Sequence, residues 1–109
     1  MQYEKDRQSP FKDLFLEATK LVLSFDGIRE TKNDRITTYS NDKGGICHIR
    51  TMPYGIDLGF LKGVKMEDKY KLLTGNGKAI RVLQQKGELN KEAVTYYINQ
   101  ALDINAKKK

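Results

Sequence analysis

Residues 72–83 read LLTGNGKAIRVL, two glycines around an asparagine with a lysine directly after, the composition of a phosphate-binding loop. A Walker loop requires glycine, four residues, then Gly-Lys-Ser/Thr, because backbone amides cradle the phosphates while the lysine and the hydroxyl serve phosphate and magnesium. Counting back from Gly77 puts Leu72 in place of the leading glycine, and Ala79 stands where the hydroxyl belongs. A Walker loop also runs from strand to helix, whereas this stretch is expected to run from helix to strand, so the helix N-terminus that receives phosphate is missing. The stretch is read instead as a turn, with Gly75 ending a helix and Gly77 leading into a strand that delivers Lys78 and Arg81 near one sheet edge.

Cys47 and His48 are adjacent, and they are the only cysteine and the only histidine. On a strand, neighbouring residues point to opposite faces, so the pair suits neither a shared soft metal nor a thiolate–imidazole nucleophile. Cys47 is read as a small buried hydrophobe. The carboxylates Asp57, Glu67, Asp68, Glu88 and Glu92 are dispersed among lysines, and no spaced pair suggests acid–base hydrolysis. Neither a catalytic set nor a metal site is expected. The set that remains is His48, Arg50, Asp57 and Arg81, drawn from three strands onto the outer face of a sheet, with Tyr39 able to join them. Such a face suits an anion, a peptide or single-stranded nucleic acid. The plainer reading is a solvated face with cross-strand ion pairs such as Arg50–Asp57. The ligand-binding candidates are therefore His48, Arg50, Asp57, Lys78 and Arg81.

The elements that position these residues follow from periodicity. Ser9 as N-cap and Pro10 at the first helical position open a helix whose apolar stripe is Phe11, Leu14, Phe15, Ala18, Leu21, Val22 and Phe25, with Gly27 as its stop. Residues 35–40, 46–52 and 56–61 alternate as strands, separated by the turn clusters at 41–45 and 53–55. Ile56, Leu58 and Phe60 should face the core, as should Cys47, Ile49 and Thr51, leaving Ile46, His48, Arg50 and Met52 outward. Residues 66–74 are expected to form a short helix with Glu67 and Asp68 in its first turn. Residues 78–84 form another strand. Asn90 caps a last helix with the stripe Val94, Tyr97, Ile98, Ala101 and Leu102. The order is α-β-β-β-α-β-α, an α+β fold with an antiparallel sheet of about four to five strands packed against helices.

The chain has 109 residues, enough for one domain spanning 1–109 with its own core, and residues 1–8 and 105–109 are expected to fray. A formal charge of +6 falls mostly in the second half and owes three positives to residues 107–109. A solvated lysine tail accounts for that, so nucleic acid is disfavoured as a partner. One cysteine permits no internal disulfide, and the polar N-terminus lacks a signal-peptide core, so a cytoplasmic setting is expected. The longest apolar run is three residues, which excludes a helical membrane span.

Residues 54–83 resemble the YdhG-like domain, domain-of-unknown-function family 1801. The likeness rests on Gly59, Phe60 and Gly63, on Asp68, and on the Leu-Leu-x-Gly-x-Gly-Lys run of Leu72, Leu73, Gly75, Gly77 and Lys78, followed by Arg81. The chain departs from that pattern at residues 66–69, where the family often has Leu-Pro-Asp-Pro, and at Val82, where it often has histidine. The resemblance implies a compact α+β domain, and some family members are described as frataxin-like intracellular iron chaperones. Iron is thus a possible ligand by resemblance, although such a role needs an acidic, oxygen-rich surface and this chain is basic. The reading is a non-catalytic binding or carrier module for an unidentified ligand or protein, as a monomer or homodimer. An iron chaperone is the alternative, a weak binder of nucleic acid or an acidic protein comes third, and an enzyme comes last.

Overall fold

A computed structural model describes residues 1–107. The fold is α+β: a six-stranded antiparallel sheet with three α-helices. The helices are α1 (Gln2–Arg7), α2 (Lys12–Leu23) and α3 (Lys91–Ala106). The strands are β1 (Arg29–Lys32), β2 (Thr37–Asn41), β3 (Gly44–Met52), β4 (Gly55–Phe60), β5 (Leu73–Thr74) and β6 (Arg81–Gln85), in the order β1-β2-β3-β4-β6-β5. The strand count exceeds the expected four to five.

One sheet face is dry. Cys47 and Ile49 of β3, Ile56, Leu58 and Phe60 of β4, and Leu83 of β6 are all fully buried. Onto them pack Phe15, Ala18 and Val22 of α2 and Val94, Tyr97 and Ile98 of α3. The helical stripes and the strand alternation thus meet in one core, the two-layer solution for elements with one apolar face each. Asn90 caps α3 through its side chain, which accepts from the Ala93 amide at 3.1 Å. Ser9 lies two residues ahead of the α2 cap, its hydroxyl accepting from the Phe11 amide at 3.0 Å.

Several expectations are overturned. The N-terminal segment expected to fray holds α1, and Asp6 within it is completely buried. One Asp6 carboxylate oxygen accepts from the Thr51 amide at 3.0 Å, the Thr51 hydroxyl at 2.7 Å and Gln2 Nε2 at 2.8 Å. At the other end, α3 continues to Ala106 and Asn105 is buried; residues 108–109 of the expected frayed tail lie outside the described residues. No helix forms over 66–74. A short 3₁₀ turn (Gly63–Lys65) is followed by a loop in which Asp68 accepts from the Leu72 and Leu73 amides, and Lys71 takes a left-handed φ of 56°. A carboxylate that serves backbone amides offers the chain an alternative to the helical ladder. Leu73 and Thr74 then pair with β6 instead. Gly75, with φ 115°, leaves this strand, not a helix.

Ile46, expected outward, is 1% exposed within the core. The β2–β3 register slips there: Tyr39 lies opposite Cys47 and Ser40 opposite Gly45, leaving Ile46 unpaired with β2. Such a bulge lets two consecutive side chains reach the same interior.

Candidate functional site

Among the described residues, no helix covers the second sheet face. Its middle is set by register: Thr38, His48, Gly59 and Val82 run across β2, β3, β4 and β6, and beside that row lie Arg50, Asp57 and Gln84. Directly opposed residues of an antiparallel pair share a face, so the two rows form one polar patch. His48, Arg50 and Asp57 are brought together as anticipated. Tyr39, Arg81 and Lys78 are not.

Tyr39 lies opposite Cys47 and is fully buried on the inner face, where its hydroxyl donates to Glu30 Oε2 at 2.8 Å. Burial and the neighbouring Glu30 push its phenol pKa far up. Arg81 lies opposite Phe60, which places it on the helix side of the sheet. Its guanidinium donates to the Gly77 and Ile80 carbonyls at 2.8 and 2.9 Å, so it braces the loop between β5 and β6 and is not displayed to a ligand. Lys78 is exposed at the tip of that loop, away from the patch.

Two members of the patch were not foreseen, Tyr54 from the β3–β4 turn and Gln84. The Tyr54 hydroxyl donates to Asp57 Oδ1. Gln84 Nε2 donates in turn to the Tyr54 oxygen at 3.1 Å. Desolvation, with Asp57 acting second, raises the Tyr54 phenol to about 12, so it remains a donor at neutral pH. This chain of bonds changes what Arg50 can do. Asp57 is its cross-strand neighbour, yet among the described residues Arg50 has neither an ion-pair nor a hydrogen-bond partner. The carboxylate is held by the phenol instead.

His48 is half-buried and has no hydrogen-bond partner among the described residues. Its imidazole lies over Gly59. A Cβ on that glycine would come within 2.6 Å of His48 Cδ2 and closer still to Nε2, so only glycine leaves room for the ring. Desolvation, reinforced by Arg50 and opposed by Asp57, holds the His48 pKa below its usual 6.5. A neutral imidazole has one donor and one acceptor nitrogen. The patch therefore offers an uncommitted guanidinium beside a neutral imidazole, with a pre-ordered phenol–carboxylate–amide chain at its border.

Among the described residues, no group of three or more His, Cys, Asp or Glu side chains is placed to hold a metal ion. Cys47 is buried on the inner face, and burial pushes its thiol well above the ordinary range. No described helix is long and apolar enough to cross a membrane. Compared with known proteins, the chain matches no family model, no curated protein and no solved structure.

Proposed function

We propose that this chain is a non-catalytic binding or carrier module, YdhG-like in kind, that holds an anionic group of its ligand on the helix-free sheet face. Arg50 supplies the charge, and His48 supplies a neutral donor beside it. Asp57, Tyr54 and Gln84 form a rigid polar border that orients the rest of the ligand. The observation that carries this reading is the bond between Asp57 and Tyr54, which leaves Arg50 without a direct ion-pair contact although a carboxylate lies across from it.

Thermal unfolding in the presence of acetate, inorganic phosphate, pyrophosphate, an acidic peptide, an oligonucleotide or ferrous iron tests the reading. A ligand at about 100 times its dissociation constant stabilises the native state by roughly 2.7 kcal/mol. Arg50→Glu should abolish the response to the anionic ligand, whereas Arg81→Glu should leave ligand affinity intact because Arg81 lies on the other side of the sheet. Equal affinity of the Arg50→Glu and unaltered proteins would refute the proposal. A response to ferrous iron alone would also refute it, in favour of a metal carrier.

A further inference from the structure

A second site lies on the opposite side of the molecule, where the loop between the 3₁₀ turn and β5 is tied to α3. The Tyr70 and Tyr96 rings stand perpendicular, 5.4 Å apart at 90°, and form a corner. Tyr97 closes its base, 5.1 Å from Tyr96. All three phenols are fixed by hydrogen bonds: Tyr70 to Glu92 Oε2 at 2.8 Å, Tyr96 to the Glu67 carbonyl at 3.2 Å, and Tyr97 to Asp68 Oδ1. The ring orientations are therefore held in place before any ligand arrives.

The corner already contains a cation. The Lys69 ammonium lies 5.3 Å from the Tyr70 centroid and 5.5 Å from that of Tyr96. Among the described residues Lys69 makes no ion pair and no hydrogen bond, so attraction to the ring faces is what holds it there. The surroundings favour positive charge as well. Glu67, Asp68 and Glu92 gather around these tyrosines in a chain whose net charge is +6. Perpendicular rings with a nearby carboxylate are the arrangement that recognises substituted ammonium ions.

We propose that the Tyr70–Tyr96 corner is a binding site for an alkylammonium group, carried by a choline-type molecule or by a methylated lysine side chain, with Lys69 as the internal occupant that the ligand displaces. Displacement has a physical basis. A primary ammonium is compact and strongly hydrated, so holding it against the rings sacrifices much of its water. A methylated ammonium keeps the charge, is less hydrated and covers more of each ring face. Lys69 thus acts as a weak built-in competitor that sets a threshold for entry.

Nuclear magnetic resonance titration of the full chain with choline, and with its neutral carbon isostere neohexanol, tests the site. Choline should shift the Tyr70 and Tyr96 ring resonances saturably and neohexanol should not. Removing the competitor in Lys69→Ala should tighten choline binding at least roughly two- to fivefold, the gain an exposed cation–ring contact sets for each of the two rings. Tyr96→Phe should retain binding because the ring face remains, and Tyr96→Leu should lose it. A peptide bearing trimethyllysine distinguishes the sources: tighter binding than choline indicates a protein ligand, and equal binding a small one. Unmoved tyrosine resonances in Lys69→Ala, or equal shifts with neohexanol, would overturn the proposal. Neither result bears on the Arg50 patch, which lies on the other face of the sheet.

Discussion

Replacing Gly59 by alanine should reverse its effect on stability according to whether His48 is present. The added methyl would lie within 2.6 Å of His48 Cδ2, well inside ordinary carbon–carbon contact. Glycine is not needed there for backbone reasons, since β4 is regular at this position and Gly59 is not among the positive-φ glycines. The imidazole must therefore leave, losing its half-buried seat and adopting a less favourable rotamer. Overpacking of this kind typically costs about 1–3 kcal/mol. A side chain that can swing toward solvent belongs at the lower end, so about 1–2 kcal/mol is expected for Gly59→Ala alone. In the His48→Ala background the obstacle is gone, and alanine gains over glycine in a strand interior, by roughly 0.5–1 kcal/mol through backbone entropy. Urea unfolding of the four proteins of the double-mutant cycle, read as midpoints at constant m value, measures both numbers. A coupling of about 1.5–3 kcal/mol is the expected sum of the two effects. If Gly59→Ala destabilises both backgrounds equally, the imidazole is not seated on Gly59, and the geometry of the patch described above fails.

Three further outcomes follow from the same structure. Asp6→Ala should destabilise the fold by about 2–4 kcal/mol in equilibrium unfolding, because it strips a buried amide and a hydroxyl of their shared acceptor; Asp6→Asn, which keeps one acceptor oxygen, should cost less. The His48 resonance should titrate with a midpoint below 6.5, moving up in Arg50→Ala and down in Asp57→Asn. Since the folded-state pKa is the lower one, the unfolded chain takes up the proton first, and stability should decline as pH falls through about 6.5. At alkaline pH the sign is the opposite: Tyr97 is raised to about 12, first by desolvation and then by its bond to Asp68. The unfolded tyrosine ionises near 10, so stability should fall as pH rises from about 10 to about 12, and Tyr97→Phe should flatten that decline.

The legible parts of the fold are those where one residue type dominates one period. The α2 and α3 stripes and the Ile56-Leu58-Phe60 alternation each have one apolar solution, and they define the core. Parity is where the reading slips. In Arg81-Val82-Leu83 either apolar residue can face inward, and the register Gly59–Val82 selects Leu83, which carries Arg81 to the helix side. A shift of one residue inverts a whole strand. The bulge at Ile46 is invisible to alternation for the same reason. β1, with the sequence RETK, shows no apolar period because it is an exposed edge, and charged side chains on such a strand discourage pairing with other chains. The loop over 66–72 has helical composition, but the Asp68 side chain and the left-handed Lys71 direct it elsewhere. Of the site, His48, Arg50 and Asp57 come from alternation alone. Tyr54 and Gln84 become visible only once the β3–β4–β6 register is known.

The strand order has a kinetic consequence. From β1 to β4 each strand pairs with the one that follows it in the chain, across short turns. Contacts of this kind close small loops and form early and fast. The bond between Asp6 and Thr51 spans 45 residues, and β6 reaches β4 only across the long loop and β5, which itself pairs with β6 alone. The four-strand ribbon is thus poised to assemble first, and α1 and β6 lock it afterwards. Interactions absent from the transition state slow unfolding with little effect on folding. The buried carboxylate of a six-residue helix at one end of the chain therefore governs how long the finished molecule lasts more than how quickly it forms.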